Sequence, residues 1–270
     1  MADPDLTMAL CAYGDNPFLE NSIKSLKAQT VPVRLYIATS TPSAYIKQLA
    51  EKYQIGYFVN PLQGGGIGAD WEFAASCAET KYVTIAHQDD YYTPEYAENI
   101  LKTFQKYPES LIVFTDFVDL INGKIVGNRS YLWIKRFLLW AYYLKPSWNS
   151  KVFKMLPSCF GNAICCPSAA YNLGKTGELK FDRSYVSNLD WAKWIELAKM
   201  DGAFSFVPKR LMAHRIDPTT ATSALIQDNR RYREDFRIFS EIWGHVIAGF
   251  LMKFYSKSYK MANVKKEKQE

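Results

Sequence analysis

The stretch KYVTIAHQDDYYTPEY, residues 81–96, decides the fold class. It begins with a short apolar run at residues 82–86, which the polar tetrapeptide HQDD (residues 87–90) follows directly. Pro94 then starts a helical pattern that continues to Lys106. A buried strand followed by a polar turn and a helix is the repeating unit of an α/β protein. We therefore expect the polar tetrapeptide to lie at the carboxyl end of a parallel strand, where such sheets bind ligands.

The same alternation extends to both sides of this stretch. Apolar runs predict five strands, at residues 7–11, 33–38, 56–59, 82–86 and 111–115. Helical patterns between them predict four helices, at residues 16–29, 43–53, 69–77 and 94–106. Parallel strands need crossover connections, and helices of this length supply them. The sequence thus predicts an α/β, mostly parallel, Rossmann-like sheet flanked by helices.

The alternation ends after Val118. YLWIKRFLLWAYYL, residues 131–144, predicts a helix that is aromatic, basic and apolar nearly all round. Further patterns predict a strand at 163–166, a helix at 189–200, a strand pair within 204–215 broken at Pro208, and a helical tail over 224–259. We expect one domain over residues 1–222, with halves 1–118 and 119–222 and a basic aromatic segment at 129–154, followed by a helical basic tail over 223–270.

Composition excludes several classes of protein. Of the 270 residues 48% are hydrophobic, which is enough for a packed core and excludes a largely disordered chain. No apolar run approaches the roughly 20 residues of a membrane span, and the acidic start at residues 1–5 does not predict an export signal. The five cysteines are odd in number and lack a Cys-x-x-Cys pair, so neither a disulfide framework nor a zinc site is expected. We expect a cytoplasmic protein.

The net charge of +6 is unevenly distributed. Residues 120–177 contain eight basic and no acidic side chains, and the last twenty residues contain six lysines and two glutamates. Such asymmetry points to an anionic partner. In residues 131–145 aromatic rings alternate with Lys135, Arg136 and Lys145, as in a helix that lies on an anionic membrane surface. Burial of this helix in the core or in a homodimer interface is the alternative.

Two loops in the first half have more than one interpretation. The adjacent Asp89 and Asp90 either start the turn before the next helix or hold a hard cation, and His87 beside them favours Mn²⁺ over Mg²⁺. Gly64-x-Gly66-x-x-Ala69 is either a flexible loop or a dinucleotide-binding turn, with an acid about 20 residues further on. The second interpretation would make the protein an NAD-dependent oxidoreductase.

Two polar groups in the second half are also ambiguous. Asp190, in Asn188-Leu189-Asp190-Trp191, is either a helix-capping residue or a general base beside an aromatic platform for a sugar. His214 and Arg215 precede a threonine-rich loop at residues 217–222. They are either surface residues or the donors that bind a diphosphate.

Together these segments resemble the family-two glycosyltransferases with the GT-A fold, from about Leu6 to Thr222. The similarity covers five segments in the family's order, namely MALCAYGDNPFLENSIKSLKAQT (8–30), ADWEFAASCAETKYV (69–83), IAHQDDYYTPEY (85–96), NLDWAKWIEL (188–197) and PKRLMAHRIDPTTAT (208–222). Two departures from the family pattern stand out. His87 replaces the first aspartate of the D-x-D motif, and Ala38-Thr39-Ser40 replaces the acidic residue that commonly follows the second strand.

The resemblance implies an inverting transfer of a sugar from a nucleotide diphosphate-sugar to an acceptor hydroxyl. It makes Asp190 the catalytic base and Asp89, with His87, the ligand of Mn²⁺ or Mg²⁺. The residues that would bind the nucleotide-sugar are Ala12, Tyr13, Asp70, Asp89, His214 and Arg215. Asp70 would take over a base or ribose contact.

The resemblance also suggests the acceptor and the setting. The expected acceptor is a lipid-linked glycan of a bacterial surface polysaccharide, at the inner face of the cell membrane. A protein-linked glycan is the alternative acceptor, and a non-catalytic membrane-binding or partner-binding homologue is the alternative function. We expect no nucleic-acid partner.

Overall fold

The first half of the chain alternates strands and helices as predicted. The computed structural model describes residues 3–217 and 229–256. Its first strands and helices are β1 (Leu6–Ala12), α1 (Leu19–Lys27), β2 (Arg34–Thr39), α2 (Ala44–Tyr53), β3 (Gly56–Val59), α3 (Gly66–Ser76), β4 (Tyr82–His87), β5 (Tyr91–Tyr92), α4 (Tyr96–Lys106) and β6 (Ser110–Ile121). Local signals set these boundaries: the Ser43 hydroxyl, for example, accepts the Ile46 N–H at 3.2 Å and caps α2.

The second half adds shorter elements. They are β7 (Lys124–Val126), α5 (Ser130–Leu138), α6 (Trp140–Leu144), β8 (Ser147–Trp148), α7 (Lys151–Cys159), β9 (Ala169–Asn172), α8 (Leu173–Thr176), α9 (Leu189–Lys199), β10 (Ala203–Ile216), α10 (Arg230–Trp243) and α11 (His245–Tyr255). The predicted helix over 189–200 is therefore α9. The predicted tail helix is two helices separated by Gly244, whose φ of 77° favours glycine, and its residues 224–228 and 257–259 lie outside the described residues.

The strands of both halves form one mixed, mostly parallel sheet in the order β3-β2-β1-β4-β9-β6-β10-β5. β1, β2, β3 and β4 run parallel, and β10 runs parallel to β6. β9 is antiparallel to both of its neighbours, and it joins the first-half strands to β6. Because β1, β2 and β4 are parallel, their carboxyl ends meet at one edge of the sheet.

Two apolar cores cover the two faces of the sheet. One contains the inward side chains of α1, α2 and α4, and the other contains those of α9, α10 and α11 together with α6. Neighbouring residues of β1 alternate between the two cores, with Met8 and Leu10 on the first face and Ala9 on the second. Helices on both faces are what a mostly parallel sheet requires.

The predicted strand at 163–166 is wrong, because the strand begins at Ala169. Residues 166–168 form a 3₁₀ turn that contains Pro167, which has no N–H to donate to a neighbouring strand. Ile164 and Cys165 are buried without belonging to a strand. Their apolar character reflects burial, which sequence pattern alone does not distinguish from a strand.

The predicted break at Pro208 is also wrong, since β10 continues through it. The register between β10 and β6 shifts between Val207 and Arg210, so Pro208 lies in an irregularity where no backbone donor is needed. Pro208 is exposed there. A β-bulge thus tolerates a proline that would otherwise end a strand.

The aromatic segment is two short helices, α5 and α6, joined at Leu139 rather than one helix. One face packs on the protein and includes Leu132, Ala141 and Tyr142. The other face is exposed and carries large apolar side chains, namely Trp133, Ile134, Phe137, Trp140, Tyr143 and Leu144. Among residues 3–217 and 229–256, no helix combines the length and the apolar character needed to cross a bilayer.

Candidate active site

The ends of β1, β2 and β4 bring the first candidate residues together. Cys11 lies opposite His87 and Ala12 lies opposite Thr39 in the strand register. The turn after β1 is tied to the tetrapeptide HQDD, because the Tyr13 N–H donates to Gln88 Oε1 at 2.9 Å and Gln88 Nε2 donates to the Tyr13 carbonyl at 3.1 Å. The Tyr13 ring is 67% exposed and is available to contact a bound molecule.

Asp70 lies at the same edge, beside the end of β2. Its Oδ2 accepts the Ser40 hydroxyl at 2.9 Å, and its Oδ1 accepts Asn60 Nδ2 at 3.0 Å. These two hydrogen bonds hold the Asp70 carboxylate beside Ser40. Ser40 belongs to the segment 38–40, which stands where the family commonly has an acidic residue after the second strand. Asn60 was not among the residues singled out in the sequence, although it follows a strand directly.

His87 ends β4 with a stacked neighbour and an unpaired nitrogen. Its ring stacks on Trp71 with centroids 5.3 Å apart, and its buried Nε2 has no hydrogen-bond partner. Burial lowers the pKa of His87 to about 4, so the imidazole is neutral at pH 7. A neutral imidazole with a free nitrogen is the form that ligates metals.

The two aspartates of HQDD differ in their surroundings. Asp90 is buried, and its Oδ1 accepts the Arg215 N–H at 2.8 Å. Burial, reinforced by the charge of Asp89, raises the pKa of Asp90 well above its usual value. Asp90 therefore links the tetrapeptide to β10, whereas the half-buried Asp89 remains the carboxylate of the pair that can ligate a cation.

Arg215 and His214 belong to β10 and lie beside the HQDD edge. Arg215 Nε donates to the Asp89 carbonyl at 2.7 Å, and its guanidinium lies 3.8 Å from the centre of the Phe18 ring. Burial, with smaller contributions from nearby positive charges, lowers the pKa of His214 to about 3. His214 is thus a neutral donor or acceptor at pH 7, not a cation. The threonines of the loop at 218–222 lie outside the described residues.

Asp190 lies in the first turn of α9 and is held by two donors. Asn162 Nδ2 donates to its Oδ2, and the Trp191 N–H donates to its Oδ1, both at 2.8 Å. Burial raises the pKa of Asp190 from its usual value, and the nearby cations Arg231 and Lys135 oppose that rise. Sequence analysis missed Asn162 because no local pattern marks an amide that acts across 28 residues.

Cys165 and Cys166 are two adjacent buried cysteines. Burial raises the pKa of the Cys166 thiol well above its usual value, and the charges of Asp190 and Asp90 both add to the rise. All five cysteines are free, as expected for a chain without a disulfide framework.

Two described side chains of the HQDD edge are candidate metal ligands. No group of three or more His, Cys, Asp or Glu side chains within residues 3–217 and 229–256 is arranged to hold a metal ion. Asp89 supplies one carboxylate, and the unpartnered His87 Nε2 is a second candidate donor atom. Mg²⁺ commonly binds one or two carboxylates and takes its remaining ligands from water and substrate phosphates. The residues therefore fit a cation that binds together with a diphosphate.

A comparison with protein families agrees with this arrangement, in which the HQDD turn follows a strand end and Asp190 supplies a separate carboxylate. The family described as Glycosyl transferase family 2 matches residues 7–165, more than half of the chain. The chain belongs to this family. The match includes the glycine-rich loop of residues 64–66, so the dinucleotide interpretation of that loop is no longer needed. A search of curated proteins found no match for this glycosyltransferase.

Solved structures share the GT-A glycosyltransferase fold. Residues 1–349 of S. aureus TarS superpose with a TM-score of 0.63 at 14% identity, covering 95% of this chain and 72% of that one. The same part of TarS in complex with UDP-GlcNAc gives 0.58 at 15% identity, over 88% and 71% of the chains. Mannosyltransferase PcManGT from Pyrobaculum calidifontis, in complex with GDP-Man and Mn²⁺, gives 0.61 at 13% identity, over 97% and 75%.

Proposed function

We propose that this family-two glycosyltransferase transfers a sugar from a nucleoside diphosphate-sugar to an acceptor hydroxyl with inversion of the anomeric configuration. The observation that carries the proposal is the environment of Asp190. Its carboxylate is held by Asn162 and Trp191, and burial raises its pKa. A positioned carboxylate with a raised pKa is suited to general-base catalysis near neutral pH.

The proposed reaction is a single displacement. Asp190 takes the proton of the acceptor hydroxyl while the acceptor oxygen attacks the anomeric carbon of the donor. The bond from that carbon to the diphosphate oxygen breaks, and the nucleoside diphosphate leaves from the opposite face. Attack and departure on opposite faces invert the configuration.

The donor would bind at the carboxyl ends of β1, β2 and β4. Ala12, Tyr13 and Asp70 line the edge proposed for the nucleotide, and His214 and Arg215 lie on the side proposed for the diphosphate. Asp89, with His87, would hold Mn²⁺ or Mg²⁺. When bound, such a cation neutralises the charge that develops on the leaving diphosphate.

A screen of nucleotide sugars tests the donor assignment. UDP-sugars and GDP-sugars are incubated with the protein in Mn²⁺, in Mg²⁺ and in excess chelator, and release of the nucleoside diphosphate is measured. We expect hydrolysis of at least one donor that stops when the metal is chelated. Nucleotide binding without any turnover would favour a non-catalytic homologue, and neither binding nor turnover would contradict the proposal.

We further propose that the acceptor is a lipid-linked glycan of a surface polysaccharide and that the protein docks on an anionic membrane surface. The observation that favours docking is the exposed face of α5 and α6, where Phe137 and Leu144 are 73% and 77% exposed. Trp133, Trp140 and Arg210 border a groove on this face. Aromatic side chains with adjacent cations are typical of interfacial helices.

The structure corrects which cations face that surface. The buried Arg136 pairs with Asp116 at 2.9 Å and donates to the carbonyls of Gly127 and Phe117, so it does not reach lipid. Lys135 is half-buried, with Nζ 5.2 Å from the centre of the Phe117 ring. Lys145 and Arg210 are exposed cations beside the apolar face, and Arg210 Nε lies 3.6 Å from the Asp116 carboxylate. A lysine or arginine near an anionic surface contributes about 1 kcal/mol, and the pairing of Arg210 with Asp116 reduces its share.

Cosedimentation with vesicles tests the docking proposal. We expect binding to vesicles that contain anionic lipid. The double variant Phe137→Ser/Trp140→Ser should lose at least about tenfold in affinity, because it removes apolar area that the membrane would bury. The double variant Val152→Ser/Ile125→Ser, at two other exposed apolar positions, is the control. Equal binding by wild type and both variants would contradict docking through α5 and α6, and would favour a protein-linked or soluble acceptor.

A further inference from the structure

The loop before α9 is bound to α10 through a single carboxylate. Glu234 Oε1 accepts the Val186 N–H at 2.8 Å. Its Oε2 accepts the N–H groups of Ser187 and Asn188, at 2.8 Å and 3.0 Å. Residues 186–188 belong to no helix or strand, so Glu234 supplies the acceptors that regular secondary structure would otherwise provide. Because hydrogen bonds to a charged acceptor are stronger than neutral ones, Glu234 holds the main chain directly before α9.

The side chain of Asn188 is bound to the same helix. Asn188 is fully buried, and its Nδ2 donates to Oδ1 of the buried Asp235 at 2.6 Å. An asparagine at the start of a helix commonly accepts an N–H of the first turn with its side chain, but the Asn188 side chain does not cap α9. The Asn188 carbonyl accepts the Ala192 N–H at 3.0 Å. Asn188 thus connects the first turn of α9 to α10 through its main chain and its side chain.

α10 is itself packed in the core beside α9. Ile238 and Phe239 are fully buried, and the Phe239 ring contacts the edge of the Trp191 ring with centroids 5.2 Å apart. The Trp191 N–H donates to Asp190, so this contact lies next to the proposed base. A carboxylate on a packed helix can hold a loop in one position, as Glu234 does here.

The direction of the Asp190 carboxylate depends on where α9 begins. Asp190 is the second residue of α9, and its Oδ2 accepts Asn162 Nδ2 at 2.8 Å from outside the helix. A shift of the first turn by about 1 Å would disturb this bond and misdirect the carboxylate. Misplacement of that size can lower a reaction rate about a hundredfold.

We propose that Glu234 is a positioning residue for the proposed base. It fixes the loop before α9 and thereby holds Asp190 in the orientation in which it takes the acceptor proton. This inference rests on the proposed function, since Glu234 acts through Asp190. Glu234 exerts its effect through the backbone of residues 186–188 and takes no part in the proton transfer.

Kinetics of Glu234→Ala test this role, with Glu234→Gln as the conservative variant. Glu234→Ala removes all three acceptor contacts, so kcat should fall about tenfold to a hundredfold while the donor KM stays within about twofold. Glu234→Gln keeps one acceptor oxygen and should recover part of the loss. Glu241→Ala is the matched control and should keep its kcat, because Glu241 binds the same loop from the same helix through a side chain, the Tyr185 hydroxyl, at 3.0 Å.

A double-mutant cycle with Asp190→Asn separates positioning from a general loss of structure. In the Asp190→Asn background, Glu234→Ala should lower kcat by less than about twofold, because the base is already absent. An equal fall in both backgrounds would mean that Glu234 only stabilises the fold, and it would overturn the inference, as would normal kcat in Glu234→Ala. Normal turnover in Asp190→Asn would instead show that the proposed base is wrong, and the inference would fall with it.

Amide hydrogen exchange tests the anchoring of the loop without turnover. In wild type the amides of residues 186–188 should be protected. Glu234→Ala should speed their exchange about tenfold or more, together with that of Trp191, whose N–H donates to Asp190. Glu241→Ala should leave all four rates unchanged. If Glu234→Ala does not fold, Glu234→Gln should show the same changes at smaller size. Unchanged exchange at residues 186–188 in folded Glu234 variants would overturn the inference.

Discussion

The HQDD edge and the surroundings of Asp190 hold their carboxylates in different ways. At the HQDD edge, the main chain makes the connections: Asp90 accepts a backbone N–H of β10, and the Asp89 carbonyl accepts Arg215. Around Asp190, burial has the largest effect on the pKa, the Asn162 side chain 28 residues away and the Trp191 N–H donate to the carboxylate, and cations from two other helices act on it. The first arrangement follows from where strands end, and the second depends on contacts between residues that lie far apart in the sequence. We therefore expect donor binding and acceptor chemistry to be separable by mutation.

The largest expected effect is at the donor edge. Asp89→Ala should abolish transfer and remove most of the affinity for a nucleoside diphosphate in Mn²⁺, because it removes the strongest oxygen ligand of HQDD. His87→Ala should have a smaller effect on both quantities. Calorimetry and donor turnover measure the two effects on the same preparations.

Asp201→Ala is the control for this prediction, since it removes a fully exposed carboxylate from a surface loop. It should leave both affinity and turnover unchanged. Near-normal turnover of Asp89→Ala in Mn²⁺ would show that Asp89 does not bind the metal.

The next effect is at Asp190. Asp190→Asn keeps the size of the side chain and its contacts with Asn162 and Trp191 in altered form, but it cannot accept a proton. Turnover should fall by about a hundredfold or more, as for the loss of a positioned base, while donor affinity stays within about twofold. Initial rates at saturating donor and a parallel nucleotide titration test both halves of this prediction.

The stability of Asp190→Asn tests whether Asp190 is a catalytic or a structural residue. A carboxyl whose pKa is raised in the folded state stabilises the fold when protonated, and this contribution is lost as pH rises through the raised pKa. At neutral pH the neutral asparagine should therefore be at least as stable as the ionised aspartate. A large fall in the melting temperature together with loss of donor affinity would instead make Asp190 a structural residue of α9.

The smallest expected effect is the pH dependence. Because burial raises the pKa of Asp190, kcat should fall as pH is lowered, beginning above the usual titration range of an aspartate. The fall should approach tenfold per pH unit below the raised pKa. Saturating Mn²⁺ keeps the donor edge loaded, so nucleotide affinity should not follow the same curve. A kcat that is unchanged down to the usual aspartate range would contradict a raised pKa.

The same contrast explains what could be predicted from the sequence. Four of the five predicted strands agree with the structure within one residue at each end, because apolar runs, prolines and glycines mark their ends locally, whereas β6 continues to Ile121, six residues beyond its predicted end. The position of HQDD at a strand end followed from the same signals. Assignment of the strand to residues 163–166 instead of Ala169–Asn172 failed because a buried loop and a strand have the same apolar composition.

Long-range contacts account for the other differences. Pro208 is tolerated in β10 only because the register with β6 shifts there. The inward direction of Lys135 and Arg136 depends on how α5 packs, and the partner of Arg136, Asp116, lies 20 residues earlier. Asn162 is recognisable only once it is seen beside Asp190. Local patterns contain none of this information.

The most direct test of the account is a double-mutant cycle on nucleotide affinity. The dissociation constant of the nucleoside diphosphate is measured in Mn²⁺ for wild type, Asp89→Ala, Asp190→Asn and the double variant. The account predicts that Asp190→Asn binds like wild type and that the double variant binds like Asp89→Ala alone. A loss of affinity in Asp190→Asn as large as that in Asp89→Ala would contradict the separation of donor binding from acceptor chemistry.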